Sequence, residues 1–252
     1  MKPVVIKIGT GVLTRESDGL LDRAALTKLV TAVADLVHSG QPCVLVSSGA
    51  VGAGVSQLGL HEYPSDVPTR QACAAVGQTR LMHAYENLFS NFDLSVAQLL
   101  LTADDFRDSA RLRRMEDTLS RLSQCAKIVP IINENDSVAV EELSMGDNDM
   151  LSARVAGVIG ASQLILLSNI DGLLAPESTE VIPLVEKVED VLGFIRADKG
   201  KFSIGGMASK LKAVQVALDG GIETVIAHGK SPERLEAITR GEGLCTRFLV
   251  PQ

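Results

Sequence analysis

VPIINENDSVAVEELSMGDNDMLSA, residues 129 to 153, runs from an apolar segment through two clusters of acids and amides into a second apolar segment. The first part, Ile128-Val129-Pro130-Ile131-Ile132, is short, aliphatic and bounded by polar residues, which predicts a buried strand. It stops abruptly at Asn133-Glu134-Asn135-Asp136. The second cluster, Gly146-Asp147-Asn148-Asp149, opens a helical pattern predicted over 148–160. A single cluster of this kind reads as a turn or a helix cap. Two of them around one strand–loop–helix unit read as a site for cations, amines or a polar substrate.

The same unit recurs on both sides of this stretch. Strands are predicted over 3–8, 42–47, 94–101, 163–167, 223–227 and 246–250, with helices over 22–39, 69–92, 104–124, 207–219 and 232–239. Asp22 and Gly40 bracket the first long helix as cap and stop. In 69–92 the apolar positions are Ala72, Ala75, Val76, Leu81, Leu88 and Phe89, and the run of small residues predicts close packing. Leu211, Val214, Val216 and Leu218 are the core positions expected of 207–219, and 176–187 reads as a hairpin or excursion. Alternating strands and helices imply an α/β fold with a mostly parallel sheet covered on both faces. Ligands in such folds sit beyond the C-terminal ends of the strands. Lys7–Gly11, Ser47–Gly52, Asn133–Asp136 and Ser168–Gly172 all fall there, which points to one shared site.

The composition narrows the function. Aromatic residues make up 3% of the 252 and there is no Trp, so platforms for stacking nucleic-acid bases are scarce. A net charge of −7 argues against a general phosphate-backbone binder. Cys43, Cys73, Cys125 and Cys245 form no CxxC pair, so neither a zinc site nor a disulfide framework is expected and a reducing cytoplasm is the natural compartment. No signal peptide or membrane span is expected.

Lys7 interrupts a buried strand just before Gly9-Thr10-Gly11, where side-chain-free backbone can approach an anion. Lys210 closes a second glycine-rich loop, 199–210, at the start of a helix. The standard phosphate signatures fail: Thr224 stands where a Walker loop ending Gly229-Lys230-Ser231 needs glycine, and Gly52-x-Gly54 lacks the third glycine of the dinucleotide fingerprint. His38, His61, His83 and His228 are isolated. Two lysines at glycine-rich loops with acids between them suit phosphoryl transfer, where catalysis is mostly positioning and neutralisation. A carboxylate acceptor would need no general base.

KIGTGVLT at 7–14, VSSGAVGAG at 46–54, QACAAVGQTRLM at 71–82, VPIINENDSV at 129–138, MGDNDMLSA at 145–153 and GGMASKLKA at 205–213 together resemble the glutamate-phosphorylating branch of the amino-acid kinase family. The resemblance implies a three-layer α/β/α sandwich of the carbamate kinase-like kind. It implies one kinase domain over 1–252, mainly glutamate-binding at first and mainly ATP-binding from about 160, without the C-terminal PUA domain of many members. The implied reaction is ATP-dependent phosphorylation of the γ-carboxylate of L-glutamate at the start of proline biosynthesis. Lys7 and Lys210 would contact the phosphoryl group, Asp149 would orient them, and the amides of Gly9 and Gly49 would cradle oxygens. Ser48, Asp136 and Asn148 would bind glutamate, with Asn133 and Asp147 close by. Lys7, Ser168, Asn169, Ile204, Gly205, Gly206, Met207, Ala208, Ser209 and Lys210 would line the ATP site, with Mg²⁺ carried by the phosphates rather than by side chains.

The family also implies a dimer or tetramer, proline feedback, hand-off of glutamyl phosphate to glutamate-5-semialdehyde dehydrogenase, and no nucleic-acid or membrane partner. Two departures bear on nucleotide binding: Asn169 replaces a usual Asp, and Ser203-Ile204 replaces a usual Gly-Thr. The alternatives are another acceptor (acetylglutamate, carbamate, a nucleoside monophosphate or isopentenyl phosphate) or a catalytically dead amino-acid sensor.

Overall fold

A computed structural model describes residues 1–15, 19–139, 148–194 and 206–251. Eight strands form one sheet in the order β3-β4-β2-β1-β5-β7-β8-β6. These are β1 (Val4–Ile8), β2 (Cys43–Val46), β3 (Ser95–Leu101), β4 (Ile128–Glu134), β5 (Gln163–Ser168), β6 (Leu184–Val185), β7 (Glu223–His228) and β8 (Thr246–Phe248). All neighbouring pairs are parallel except β7 with β8. From β1 the chain first builds outward through β2, whereas from β5 it builds the other way through β7. β1 and β5 therefore flank the point where the winding reverses, and the crevice beyond their C-terminal ends is the expected binding place.

Period-2 alternation assigns each strand side chain to one of two cores. Val4, Ile6 and Ile8 of β1 pack with helices α2 (Arg23–His38), α4 (Val67–Phe89) and α9 (Leu235–Thr239). Val5 faces the opposite layer, formed by α6 (Ser109–Ser123), α7 (Asn148–Val158) and α8 (Met207–Asp219). Lys7 shares the parity of Val5, so β1 aims it at α7 and α8. By the same parity β4 aims Asn133, two residues beyond Ile131, at the α4 layer.

The helix ends follow from local chemistry. Asp22 caps α2 by accepting from the Ala24 and Ala25 amides, and Gly40 leaves it at φ 90°. The expected helix over 104–124 is two helices, α5 (Ala103–Arg107) and α6, because extended Asp108 ends one and caps the other. The excursion over 176–187 supplies one antiparallel bridge, Leu174 to Val181, and the two-residue β6. Two expected core assignments are corrected by helix phase. Val216 of α8 is on the solvent side, and Ala72 and Ala75 of α4 are exposed. The buried stripe of α4 is Cys73, Ala74, Gly77, Gln78, Leu81, Tyr85 and Phe89.

That stripe includes two contacts that only glycine allows. A Cβ on Gly77 would lie 1.8 Å from the Ala50 carbonyl oxygen, and one on Gly54 would lie 1.9 Å from the Cys73 carbonyl oxygen. Both glycines join α4 to the short helix α3 (Ala50–Val55), so the small residues serve backbone-to-backbone packing inside the domain. Gly77→Ala is expected to cost at least about 2 kcal/mol through overpacking, lowering Tm by several degrees in scanning calorimetry. Gly157→Ala in α7, where a Cβ meets nothing within 4 Å, is expected to raise it slightly.

Candidate active site

Lys7, Asp149 and Lys210 converge at the winding reversal. Lys7 Nζ lies 2.5 Å from Asp149 Oδ1, and Lys210 Nζ donates to Asp149 Oδ2 at 2.9 Å. Their exposures are 4%, 0% and 8%, so the pairing is made away from solvent. Asp149 sits in the first turn of α7, where the helix dipole also favours a negative charge. Burial alone would raise its carboxyl, but the two ammonium groups outweigh that and hold it below the usual carboxylate range. Two ammonium groups are thus held close together in a nearly dry place. An incoming anion such as a phosphoryl group is what such a pair suits.

The glycine turns contribute differently from one another. Gly49 takes φ 96°, the left-handed region, to turn from β2 into α3. The Gly9 amide is already given to the Leu167 carbonyl at 3.2 Å, one step beyond the β1–β5 ladder. In this structure Gly9 therefore contributes its missing side chain rather than a free N–H. Ser48, 8% exposed, is the second residue beyond β2.

On the other side of the lysines stands a set of amides and hydroxyls. Asn148 Nδ2 lies 2.9 Å from Ser48 Oγ, 3.0 Å from the Ser47 carbonyl and 3.0 Å from Asn133 Oδ1. Its Oδ1 is buried and has no hydrogen-bond partner among the described residues. Beside this set a recess is lined by Ala50, Ala74, Gln78, Leu100 and the Glu134–Ser137 turn, which includes Asp136. Burial and the Glu134 charge push the Asp136 carboxyl up to about 6, with Arg70 partly opposing them. An acid this uncomfortable without a ligand is suited to receiving a cation.

Ser48, Asn133, Asn148, Asp149, Lys7 and Lys210 are thus brought together as expected, with Asp136 at the adjoining recess. Ser168 ends β5, and its carbonyl accepts from the Gly229 amide at 2.7 Å. Asn169 is exposed and lies against Gly11, whose added Cβ would meet its amide nitrogen at 2.4 Å. Gly206, Met207, Ala208 and Ser209 lead into Lys210 at the start of α8. Asp147, Ile204 and Gly205 lie outside the described residues. No group of three or more His, Cys, Asp or Glu able to hold a metal occurs among the described residues, and none of their helices is long and apolar enough to cross a membrane.

The sequence reading missed Gln78 and Tyr85. Gln78 is buried and accepts from Asn133 Nδ2 at 2.9 Å, while the buried Tyr85 hydroxyl meets Ser47 Oγ at 3.0 Å. The available signal was a polar residue inside the apolar stripe of α4, four residues after Ala74 and three before Leu81.

A winding reversal that carries two buried lysines on one carboxylate, flanked by an amide-rich recess, defines a phosphotransferase of the carbamate kinase-like fold. The chain belongs to the amino acid kinase family, whose profile matches residues 2–228. It is 43% identical over 252 residues to the glutamate 5-kinase of Moorella thermoacetica, covering 98% of this chain and 66% of that one. The glutamate 5-kinase of Clostridium acetobutylicum is also 43% identical, with 98% and 94% covered. Among solved structures, carbamate kinase of Giardia superposes with TM-score 0.67 at 15% identity over 98% of each chain. UMP kinase of Ureaplasma parvum gives 0.65 at 12% identity over 99% of this chain and all of the other.

Because the Asp136 carboxyl is raised in the fold, ionising it costs stability. That cost is absent below about pH 4, grows as pH rises toward 6 and is constant above. Asp136→Asn is therefore expected to raise the Tm of the unliganded protein at pH 7 and to leave it nearly unchanged at pH 4, checked by thermal denaturation at both values.

Proposed function

We propose that this chain transfers the γ-phosphoryl group of ATP to the γ-carboxylate of L-glutamate, giving L-glutamyl 5-phosphate and ADP, the first step of proline biosynthesis. The observation that carries the reading is the Lys7–Asp149–Lys210 triad set beside the Asp136 recess. The glutamate 5-kinase relatives support it.

In this reading a carboxylate oxygen of glutamate attacks the γ-phosphorus while the bond to the β–γ bridging oxygen breaks, and ADP leaves with that electron pair. The attacking oxygen is already anionic, so no side chain has to remove a proton. Lys7 and Lys210 follow the charge that spreads over the phosphoryl oxygens, and Asp149 keeps the two lysines apart and aimed. The ionised Asp136 takes the substrate ammonium. The Ser48 hydroxyl accepts from Asn148 and so keeps its own hydrogen for a substrate carboxylate. ATP would lie along the β5 and α8 side, with Ser168, Asn169 and the Gly206–Lys210 turn as its walls. The second half of the chain is then the nucleotide half and the first the amino-acid half.

Asp149 has both carboxylate oxygens on lysines, so magnesium fits as a passenger of the nucleotide phosphates, where it would supply further neutralisation. A cytoplasmic setting, a dimer or tetramer, and hand-off of the labile acyl phosphate to a reductase belong to the same proposal.

ATP turnover with glutamate, acetylglutamate, carbamate, UMP and aspartate, with hydroxylamine present to trap acyl phosphate, tests the reading. Hydroxamate from glutamate above all other acceptors is the expected result, and turnover confined to another acceptor would sink the assignment. Lys210→Ala is expected to lose on the order of 10²-fold or more in kcat. For the wild type, kcat/KM for glutamate should fall about tenfold per pH unit below about 6, as Asp136 takes a proton. Asp136→Asn should flatten that limb and lower its plateau.

A further inference from the structure

The amide groups around Asn148 form a relay whose direction is set by backbone at two points. The Glu134 amide donates to Asn133 Oδ1 at 2.9 Å, which forces Asn133 to turn its Nδ2 toward Gln78. The Ser47 carbonyl can only accept, which forces Asn148 to present Nδ2 to it at 3.0 Å. Between these anchors every amide has one consistent orientation. Gln78 Nε2 donates to Gln98 Oε1 at 3.3 Å, Asn133 Nδ2 donates to Gln78 Oε1 at 2.9 Å, and Asn148 Nδ2 reaches Asn133 Oδ1 at 3.0 Å. The outcome is that Asn148 Oδ1 is left buried as an unpartnered acceptor among the described residues.

We propose that Gln78 is a positioning residue for the amino-acid substrate. By holding Asn133, it fixes the Asn148 amide so that an acceptor oxygen meets a substrate N–H and the Ser48 hydroxyl is left free to donate. This rests on the glutamate-kinase reading and deepens it. Gln78 also lines the recess that includes Asp136, so one side chain both walls the pocket and takes up the Asn133 donor behind Asn148. It approaches from α4, in the layer opposite the lysines. Its effect therefore falls on substrate recognition and leaves the phosphoryl-transfer groups in place.

The test is Gln78→Met, which keeps an unbranched buried chain and removes both amide bonds. Leaving the buried Asn133 Nδ2 without an acceptor is expected to raise the glutamate KM on the order of tenfold. The kcat should stay within about threefold and the ATP KM unchanged, since the triad is untouched. Gln98→Ala, on the exposed end of the relay, should raise the glutamate KM less, and serves alone if Gln78→Met fails to fold. A glutamate KM within twofold of wild type, or a parallel loss in kcat and both KM values, overturns the proposal. Failure of the parent reading is separate: it appears as absence of glutamate hydroxamate with the wild type. In that event crystal structures of the two variants decide, and an Asn148 amide that keeps its bonds to Ser48 and Asn133 overturns the proposal.

Discussion

One buried carboxylate shared by two ammonium groups is the constraint around which the site is built. Desolvating three charges is costly, and a buried pair that lost its partner would cost more than the pair itself returns. Asp149 therefore has to be placed so that both oxygens are filled, one from β1 and one from α8. This ties the central strand to two helices of one layer and gathers two ammonium groups at the winding reversal, where an anion can enter from beyond the strand ends.

The sheet sorts the two tasks of the site by strand parity. Odd steps along β1 send Lys7 into the α6–α7–α8 layer, while Ser47 and Asn133 emerge from β2 and β4 toward α4. Asn148, the first residue of α7, reaches over the strand ends and joins the two sides through Ser47, Ser48 and Asn133. In the proposed reaction, neutralisation of phosphate is thereby carried from one layer and the shape and polarity of the recess from the other. The Gly54 and Gly77 contacts set how close α4 stands to the turn after β2. Gln78 is the next residue after Gly77, so its reach to Asn133 depends on a helix approach that side chains would forbid.

Most of the architecture was legible because it is periodic. Aliphatic runs ending in polar turns gave β1, β2, β4 and β5 and placed Lys7, Ser48, Asn133 and Ser168 at their C-terminal ends. Lys7 and Lys210 were conspicuous as lysines beside glycine-rich loops, whereas the pairing of both with Asp149 was expected only through the resemblance to the family. What failed was phase and length. The α4 stripe was right at Leu81 and Phe89 but missed its phase over Ala72–Gly77, because Ala and Gly occupy both faces there and hydrophobicity alone does not show which way the helix turns. Asp108 looked like one more charge in a charged helix, although its extended backbone makes it a cap. β6 pairs only Leu184 and Val185, too short a run for alternation to register.

Gln78 was illegible for a different reason. A glutamine in an apolar stripe is ambiguous until its partner is known, and that partner, Asn133, lies 55 residues away on another element. The structure resolves the ambiguity because a buried amide has both a donor and an acceptor to satisfy, and only one orientation does so beside a backbone N–H and a backbone carbonyl. The same accounting distinguishes an acceptor-presenting pocket from a donor-presenting one. In the proposed reading Asn148 Oδ1 and the Asp136 carboxyl both take hydrogen from the substrate, an arrangement that an ammonium meets better than an N-acylated amine, which has a single N–H and no charge to offer.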